Sequence, residues 1–140
     1  FQQRKLDAVW TVEPWVSRLE REAGGKVLLE QSKDSVTVLV SGVKFVKGKF
    51  ELTKKFVQAH RELTDWILAH PEEAKKMVLE ELSVETQAKV SAELIAQAWK
   101  RIMLRSDVSI EEFQQFVSNA QRAGFMRTTP DLARLIERLQ

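Results

Sequence analysis

Glu13 is the side chain whose type and position most suggest chemistry, and it lies between two tryptophans, Trp10 and Trp15. It follows a strand predicted over residues 6–12, and a carboxylate at the carboxyl end of a strand can accept hydrogen bonds from a polar or cationic ligand. The same carboxylate can instead stabilise the first turn of the helix that Pro14 begins, through the helix dipole. Both roles stay open, and the negative charge of Glu13 argues against direct contact with an anionic ligand.

Three further side chains, Trp10, Trp15 and Thr37, are candidates for ligand contact. The two indole rings can stack on an aromatic or apolar part of a ligand, although a tryptophan more often packs in a core. The Thr37 hydroxyl can donate to an anion near the start of a strand predicted over residues 36–43, although a strand threonine usually only fits the pleat. The predicted ligand-binding residues are therefore Glu13, Trp10, Trp15 and Thr37.

The residue types give no support to catalytic or metal chemistry. The chain has no cysteine, which excludes disulfides, thiolate ligands and cysteine nucleophiles. His60 and His70 stand ten positions apart. On one helix that separation is about 80° of rotation and about 15 Å along the axis, so the two histidines cannot share a metal ion. No glycine-rich phosphate loop or nucleophile elbow occurs. We predict a protein that is not an enzyme, with no catalytic residue, no metal site and no cofactor.

Composition and charge are typical of a soluble globular protein that does not bind nucleic acid. Hydrophobic residues make up 44% of the chain and charged residues 30%. The formal net charge is +2, from 22 basic and 20 acidic residues. The basic residues are interleaved with glutamates, which is the pattern of a solvated surface. The apolar runs are shorter than the roughly 18 residues that span a membrane.

Hydrophobic periodicity predicts an α/β beginning followed by a helical remainder. The polar loop over residues 31–35 divides the two parts, and Gly24-Gly25 is a predicted helix stop. Short strands are predicted over residues 6–12, 26–30 and 36–43. Helices are predicted over Pro14–Ala23, Phe50–His70 and Pro71–Leu82, after the N-cap Ser91, from Ser109 to Gly124, and from Thr129-Pro130 onward.

A set of short motifs spread over nearly the whole chain has a specific order and spacing. They are Lys5-Leu6-Asp7-Ala8, Glu13-Pro14-Trp15, Gly24-Gly25-Lys26-Val27-Leu28, Thr37-Val38-Leu39-Val40, Phe56-Val57-Gln58-Ala59-His60, Ala69-His70-Pro71-Glu72-Glu73-Ala74, Ala123-Gly124-Phe125 and Pro130-Asp131-Leu132. In this order they resemble the second half of ABC-transporter substrate-binding proteins. The most similar subgroup is the nitrate/sulfonate/taurine type, which shares its fold with the thiamine-precursor binding proteins.

The resemblance implies an α/β fold, as the C-terminal portion of a bilobal, type II periplasmic binding protein. The chain would then contain a small strand-helix-strand unit and a crossover strand, followed by a mostly helical array. Residues 1–34 would form part of the second lobe and residues 35–45 the crossover strand that acts as a hinge. Residues 46–140 would form a helical segment that returns to the first lobe. The strand-helix unit so close to residue 1 suggests that the sequence begins inside a domain.

The resemblance also implies the solute-binding component of an ABC importer, located in the periplasm or anchored outside the cytoplasm. It would trap a small oxyanion, such as an aliphatic sulfonate, taurine or nitrate, between two lobes and deliver it to a membrane permease. Because the ligand would depend on both lobes, we expect this chain alone to bind solute weakly and to self-associate through the lobe interface that it exposes.

Two alternatives stay open. The first is a binding protein for a thiamine precursor or another heterocycle, in which Trp10 and Trp15 stack on the ring and Glu13 bonds a ring amine. The second is a standalone helical interaction domain. A pyrimidine-synthesising enzyme with the same fold is disfavoured, because such an enzyme should carry a site rich in histidine and cysteine.

Overall fold

The computed structural model describes residues 3, 5–31, 37–87, 89–133 and 135–136. Among these residues, regular structure is helical. The helices are α1 (Trp15–Ala23), α2 (Val43–Gly48), α3 (Phe50–Ala69), α4 (Pro71–Glu85), α5 (Ala92–Trp99) and α6 (Ile110–Arg122). None of them is long and apolar enough to cross a membrane.

The predicted α/β fold class is wrong, because the described part of the chain contains no strand. Residues 6–12, 26–30 and 37–42 run as irregular segments, and Val43 begins α2. Residue 36, the first of the third predicted strand, lies outside the described residues. A β-branched sequence favours a strand only where neighbouring strands supply hydrogen bonds and a packing surface. The apolar side chains of these segments have no such surface here, since Leu28, for example, is 87% exposed.

Local signals at the two ends of α1 account for its length. The helix begins directly after Pro14, whose fixed φ suits a first turn. It ends at Gly24, which has the left-handed φ of 63° that glycine adopts without steric cost. The Gly25 amide then donates to the Leu19 carbonyl at 3.0 Å. A Cβ at Gly25 would lie 3.1 Å from that same oxygen, so the predicted glycine stop is confirmed.

Serine caps and one proline set the starts of the later helices. Pro71 is the first residue of α4, as predicted. The Ser91 hydroxyl accepts from the Leu94 amide at 3.1 Å at the start of α5. The Ser109 hydroxyl accepts from the Glu112 amide at 3.4 Å at the start of α6. Each cap satisfies an amide that the first turn leaves without a helical partner.

The last predicted helix is not present in the described residues. Residues 129–133 and 135–136 form turns and irregular chain. Residues 134 and 137–140 lie outside the described part of the sequence. Pro130 supplies a start signal, but no described contact holds an apolar face of this segment against a neighbour, and packing rather than propensity stabilises most helices.

The chain divides into two compact units whose segments alternate along the sequence. The first unit comprises Phe1–Lys33 and Asp65–Leu104, and the second comprises Asp34–Thr64 and Arg105–Gln140. In the first unit, α5 packs against both α1 and α4. Its buried apolar side chains are Ala74, Leu94, Ile95 and Ala98. The predicted division into 1–34, 35–45 and 46–140 stays a prediction.

Candidate functional site

Arg101 is the centre of a polar cluster that joins the end of α5 to α1. Its Nη1 donates to Glu20 Oε2 at 2.7 Å and to Glu13 Oε1 at 3.1 Å. Its Nη2 donates to Glu20 Oε1 at 3.1 Å, so Glu20 is bound in the bidentate manner that suits a guanidinium. The Gln97 amide, one turn earlier, donates to Glu20 Oε2 at 2.9 Å. Together with Ser17, these four residues are called the Arg101 cluster below.

The Glu13 carboxylate accepts hydrogen bonds from two other members of this cluster. Oε2 accepts from the Ser17 amide at 3.1 Å, and Oε1 accepts from the Ser17 hydroxyl at 3.1 Å. With the Arg101 bond, the carboxylate has three donors from the protein, and its side chain is only 8% exposed. The structure therefore contains the interaction with the first turn of α1 that was one of the two predicted roles. Ligand contact by Glu13 stays a prediction.

The ion pair of the cluster shifts the pKa values of Glu20 and Arg101. The hydrogen bonds from Arg101 hold the pKa of the Glu20 carboxyl below its ordinary value, and they outweigh the opposing effect of partial burial. The hydrogen bonds to Glu20 and then Glu13 raise the pKa of the Arg101 guanidinium above its ordinary value. Both shifts favour the charged forms, so the cluster stabilises the contact between α1 and α5 as an ion pair.

Acid should weaken the fold through Glu20. Because the folded-state pKa of Glu20 lies below the unfolded value of 4.5, the stabilisation is present above that value and is lost as pH falls through the folded pKa. We expect the free energy of unfolding, measured by urea denaturation from pH 6 to about pH 3, to fall with acidity. Glu20→Gln should be less stable at pH 6 and should show a smaller loss on acidification. An equal acid dependence in both proteins would contradict this assignment.

A shallow surface groove lies beside the cluster, between α1, the end of α4 and the start of α5. Its apolar lining is Pro14, Trp15, Leu82, Val90 and Leu94, and its polar lining is Arg18, Glu22, Thr86 and Lys89. All nine residues belong to the first unit. This set of residues is called the Trp15 groove below.

The Trp15 groove combines an accessible aromatic ring with a basic rim. The Trp15 side chain is 43% exposed, and the Arg18 guanidinium carbon lies 5.8 Å from its ring centroid. Arg18 Nε also donates to Glu22 Oε2 at 2.9 Å, which neutralises one acidic group. Lys89 adds a further positive charge, so the two cations and one carboxylate leave the lining with a net positive charge. Such a groove suits a small ligand with an apolar part and a negative head group.

The structure gives the four predicted ligand residues different surroundings. Trp15 lines the groove, whereas Glu13 belongs to the neighbouring Arg101 cluster. Trp10 is 68% exposed and does not line the groove. Thr37 is exposed and belongs to the second unit. No described contact brings these four side chains into one site, and their role in ligand binding stays a prediction.

Sequence reasoning missed Glu20, Arg101 and Lys89. Glu13, Ser17 and Glu20 have the spacing of one helix face, which is a usable signal for a shared partner. Arg101 lies 81 positions from Glu20, and no local pattern links two residues so far apart. The described residues contain no group of three histidine, aspartate or glutamate side chains placed to hold a metal ion.

Comparison with known proteins identifies the class of protein to which this chain belongs. The chain falls among the solute-binding proteins of ABC transporters, a class of binding proteins rather than enzymes, which take up a small solute and work with a membrane permease. Residues 1–82 match the model of the NMT1-like family, and the chain belongs to that family. The predicted resemblance is confirmed. No match is found among curated proteins or among solved structures. Binding proteins of this class are typically extracytoplasmic.

Proposed function

We propose that this protein binds a small organic sulfonate and delivers it to an ABC permease outside the cytoplasm, in the periplasm or from a membrane anchor. Family membership supports the general role, and the Trp15 groove supports the solute chemistry. The observation that carries the proposal is the pairing of an exposed indole with an ammonium, Lys89, that forms no ion pair with the described residues, on one small surface. In this arrangement the hydrocarbon part of the solute lies on Trp15, and the sulfonate oxygens accept hydrogen bonds from Lys89.

The apolar lining distinguishes among the oxyanions expected for this class of protein. Nitrate has no apolar part, so it would leave Leu82 and Val90 in contact with water and gain nothing from their burial. Taurine carries an ammonium group, which Arg18 and Lys89 would repel at short range. A short alkanesulfonate satisfies both the apolar lining and the positive rim. We therefore place alkanesulfonates ahead of taurine and nitrate.

A heterocycle is the second candidate, because the exposed Trp15 ring offers a stacking surface. A thiamine precursor would place its ring on this indole and would need a free carboxylate for its ring amine. Glu13 accepts three hydrogen bonds within the Arg101 cluster, and Glu22 is paired with Arg18. The absence of an unpaired carboxylate on the described groove lining therefore favours the sulfonate.

Binding is best tested by NMR titration of the tryptophan indole N–H signals with butanesulfonate. We expect weak binding, with a dissociation constant of about 1 mM because the groove is shallow, and a shift confined to the signal that Trp15→Leu removes. Trp15→Leu lacks the reporting indole, so its titration is followed through backbone amide signals, and it should weaken binding about tenfold through loss of the aromatic contact. Lys89→Gln should weaken it about tenfold through loss of a charge-assisted hydrogen bond.

Two matched variants serve as controls. Trp10→Leu removes an exposed indole and Lys100→Gln an exposed ammonium, and neither residue lines the groove. Both should leave the butanesulfonate affinity within about twofold of the parent protein. Nitrate should shift the Trp15 signal less than butanesulfonate at equal concentration. Equal losses from Trp10→Leu and Trp15→Leu, or tighter binding of an aminopyrimidine, would overturn the sulfonate assignment.

A further inference from the structure

Helix α3 buries two polar side chains and exposes several large apolar ones. Its two buried side chains are threonines, Thr53 and Thr64. Their hydroxyls donate to the carbonyl oxygens of Lys49 and His60, each at 2.9 Å, so the buried polar groups are satisfied within the helix. A surface helix normally directs its apolar residues to the core and its polar residues to water. In α3, Leu52, Phe56 and Leu63 are instead each more than half exposed.

The exposed apolar residues form one continuous stripe. Leu52, Phe56, Ala59 and Leu63 are spaced by four, three and four positions, which keeps them on one side of a helix. Leu52, Phe56 and Leu63 are each more than half exposed, and Ala59 is exposed as well. These four residues are called the α3 stripe below. The same alternation of threes and fours is the spacing by which two helices pair along a seam.

Two charges on one flank of the stripe determine which partner fits it. Lys55 lies four residues before Ala59, and Glu62 lies three residues after it, on the same side of the stripe. The Glu62 carboxylate accepts from the neutral Gln58 amide at 2.9 Å, so its charge is not compensated by that contact. A partner helix that carries a negative charge opposite Lys55 and a positive charge opposite Glu62 would satisfy both. A second copy of α3 has this pattern when it runs in the opposite direction.

We propose that the α3 stripe is a self-association surface on which two copies of the chain pair through antiparallel α3 helices centred on Ala59. Around a two-fold axis at Ala59, Lys55 of one copy and Glu62 of the other lie within about 1.5 Å of the same axial position, given a rise of 1.5 Å per residue. The symmetry produces this ion pair twice. Phe56 of one copy packs near Leu63 of the other, and the small Ala59 side chains allow the helices to approach closely.

The parallel arrangement does not have this complementarity. In a parallel pair, Lys55 would face the region of His60 and Glu62 would face that of Ile67, so neither charge would find an opposite one. The charge pattern therefore specifies both the partner and its direction. Because the stripe covers three turns of helix, the dimer is expected to be weak and reversible.

Sedimentation equilibrium across about 5 to 500 μM protein tests the pairing, and we expect a dissociation constant of about 100 μM. Lys55→Glu and Glu62→Lys each turn two attractions into two repulsions and should each weaken dimerisation by about tenfold. Mixing the two variants in equal amounts should restore a dimer, because the heterodimer regains both opposite-charge pairs. The double variant Lys55→Glu with Glu62→Lys should dimerise like the parent chain.

Two further variants separate this surface from others. Lys54→Glu makes the same charge change on the far side of α3 and should leave the dissociation constant within about twofold. Phe56→Ser should abolish the dimer while the far-ultraviolet circular dichroism stays unchanged, because Phe56 is exposed. If the parent chain stays monomeric at 500 μM, the proposal is overturned, and the α3 stripe then serves a different partner. A dimer that is insensitive to both single charge changes also overturns it.

Discussion

Arg101→Met is expected to lower the free energy of unfolding by about 2 kcal/mol, measured by urea denaturation followed by circular dichroism. Methionine keeps much of the packing of the arginine stem but removes the guanidinium. The carboxylates of Glu13 and Glu20, both mostly covered, then lie near each other without the cation that compensates them. The loss therefore combines missing hydrogen bonds with repulsion between two acidic groups.

Three comparisons distinguish this effect from a general sensitivity of the segment to substitution. Lys100→Met removes a neighbouring exposed ammonium and should change stability by less than about 0.5 kcal/mol. Arg101→Lys keeps the charge but not the bidentate geometry, so its stability should fall between those of the parent and Arg101→Met. When Glu20→Gln is combined with Arg101→Met, the loss should be smaller than the sum of the single losses. Additive losses would show that the two side chains do not act together.

Ile95→Ala is expected to cost about 3 kcal/mol of unfolding free energy, since among the described residues Ile95 is one of the few large apolar side chains that are nearly fully buried. Ile95 lies on α5, the helix that packs on both α1 and α4. With so small a described core, the neighbours cannot easily fill the resulting cavity. The urea midpoint should fall while the dependence on urea concentration stays unchanged.

The same change at an exposed isoleucine provides the control for this prediction. Ile102→Ala, three residues after the end of α5, should lower stability by less than about 1 kcal/mol because Ile102 is 39% exposed. Equal losses at the two positions would contradict the identification of α5 as the centre of the first unit.

Helix boundaries were predictable because their signals are local. Pro14, Gly24, Ser91 and Ser109 each act within about one turn of their own position, through a fixed φ, a left-handed cap or a side-chain hydrogen bond. The strands were not predictable in the same way, because a strand exists only with its neighbours. The segment over 37–42 has the β-branched composition of a buried strand, but no described segment pairs with it.

In the candidate site, too, the residues marked by local signals were predictable and those brought in by the tertiary fold were not. Glu13 and Trp15 were found from their place beside Pro14 at the start of a helix, and both occupy the described region where α1 meets α5. Arg101 and Lys89 come from segments far along the sequence, and only the tertiary fold brings them to α1. The charge pattern of α3 was visible in the sequence, but its outward direction depends on which face the fold buries.

The alternation of the two units along the sequence restricts how this chain can be dissected. Residues 1–33 and 65–104 belong to one unit, and residues 34–64 and 105–140 to the other. A cut anywhere between residues 34 and 104 therefore leaves both units incomplete on each side of the break. During synthesis, α1 must wait for α5 to leave the ribosome, some 70 residues later, before its main partner exists.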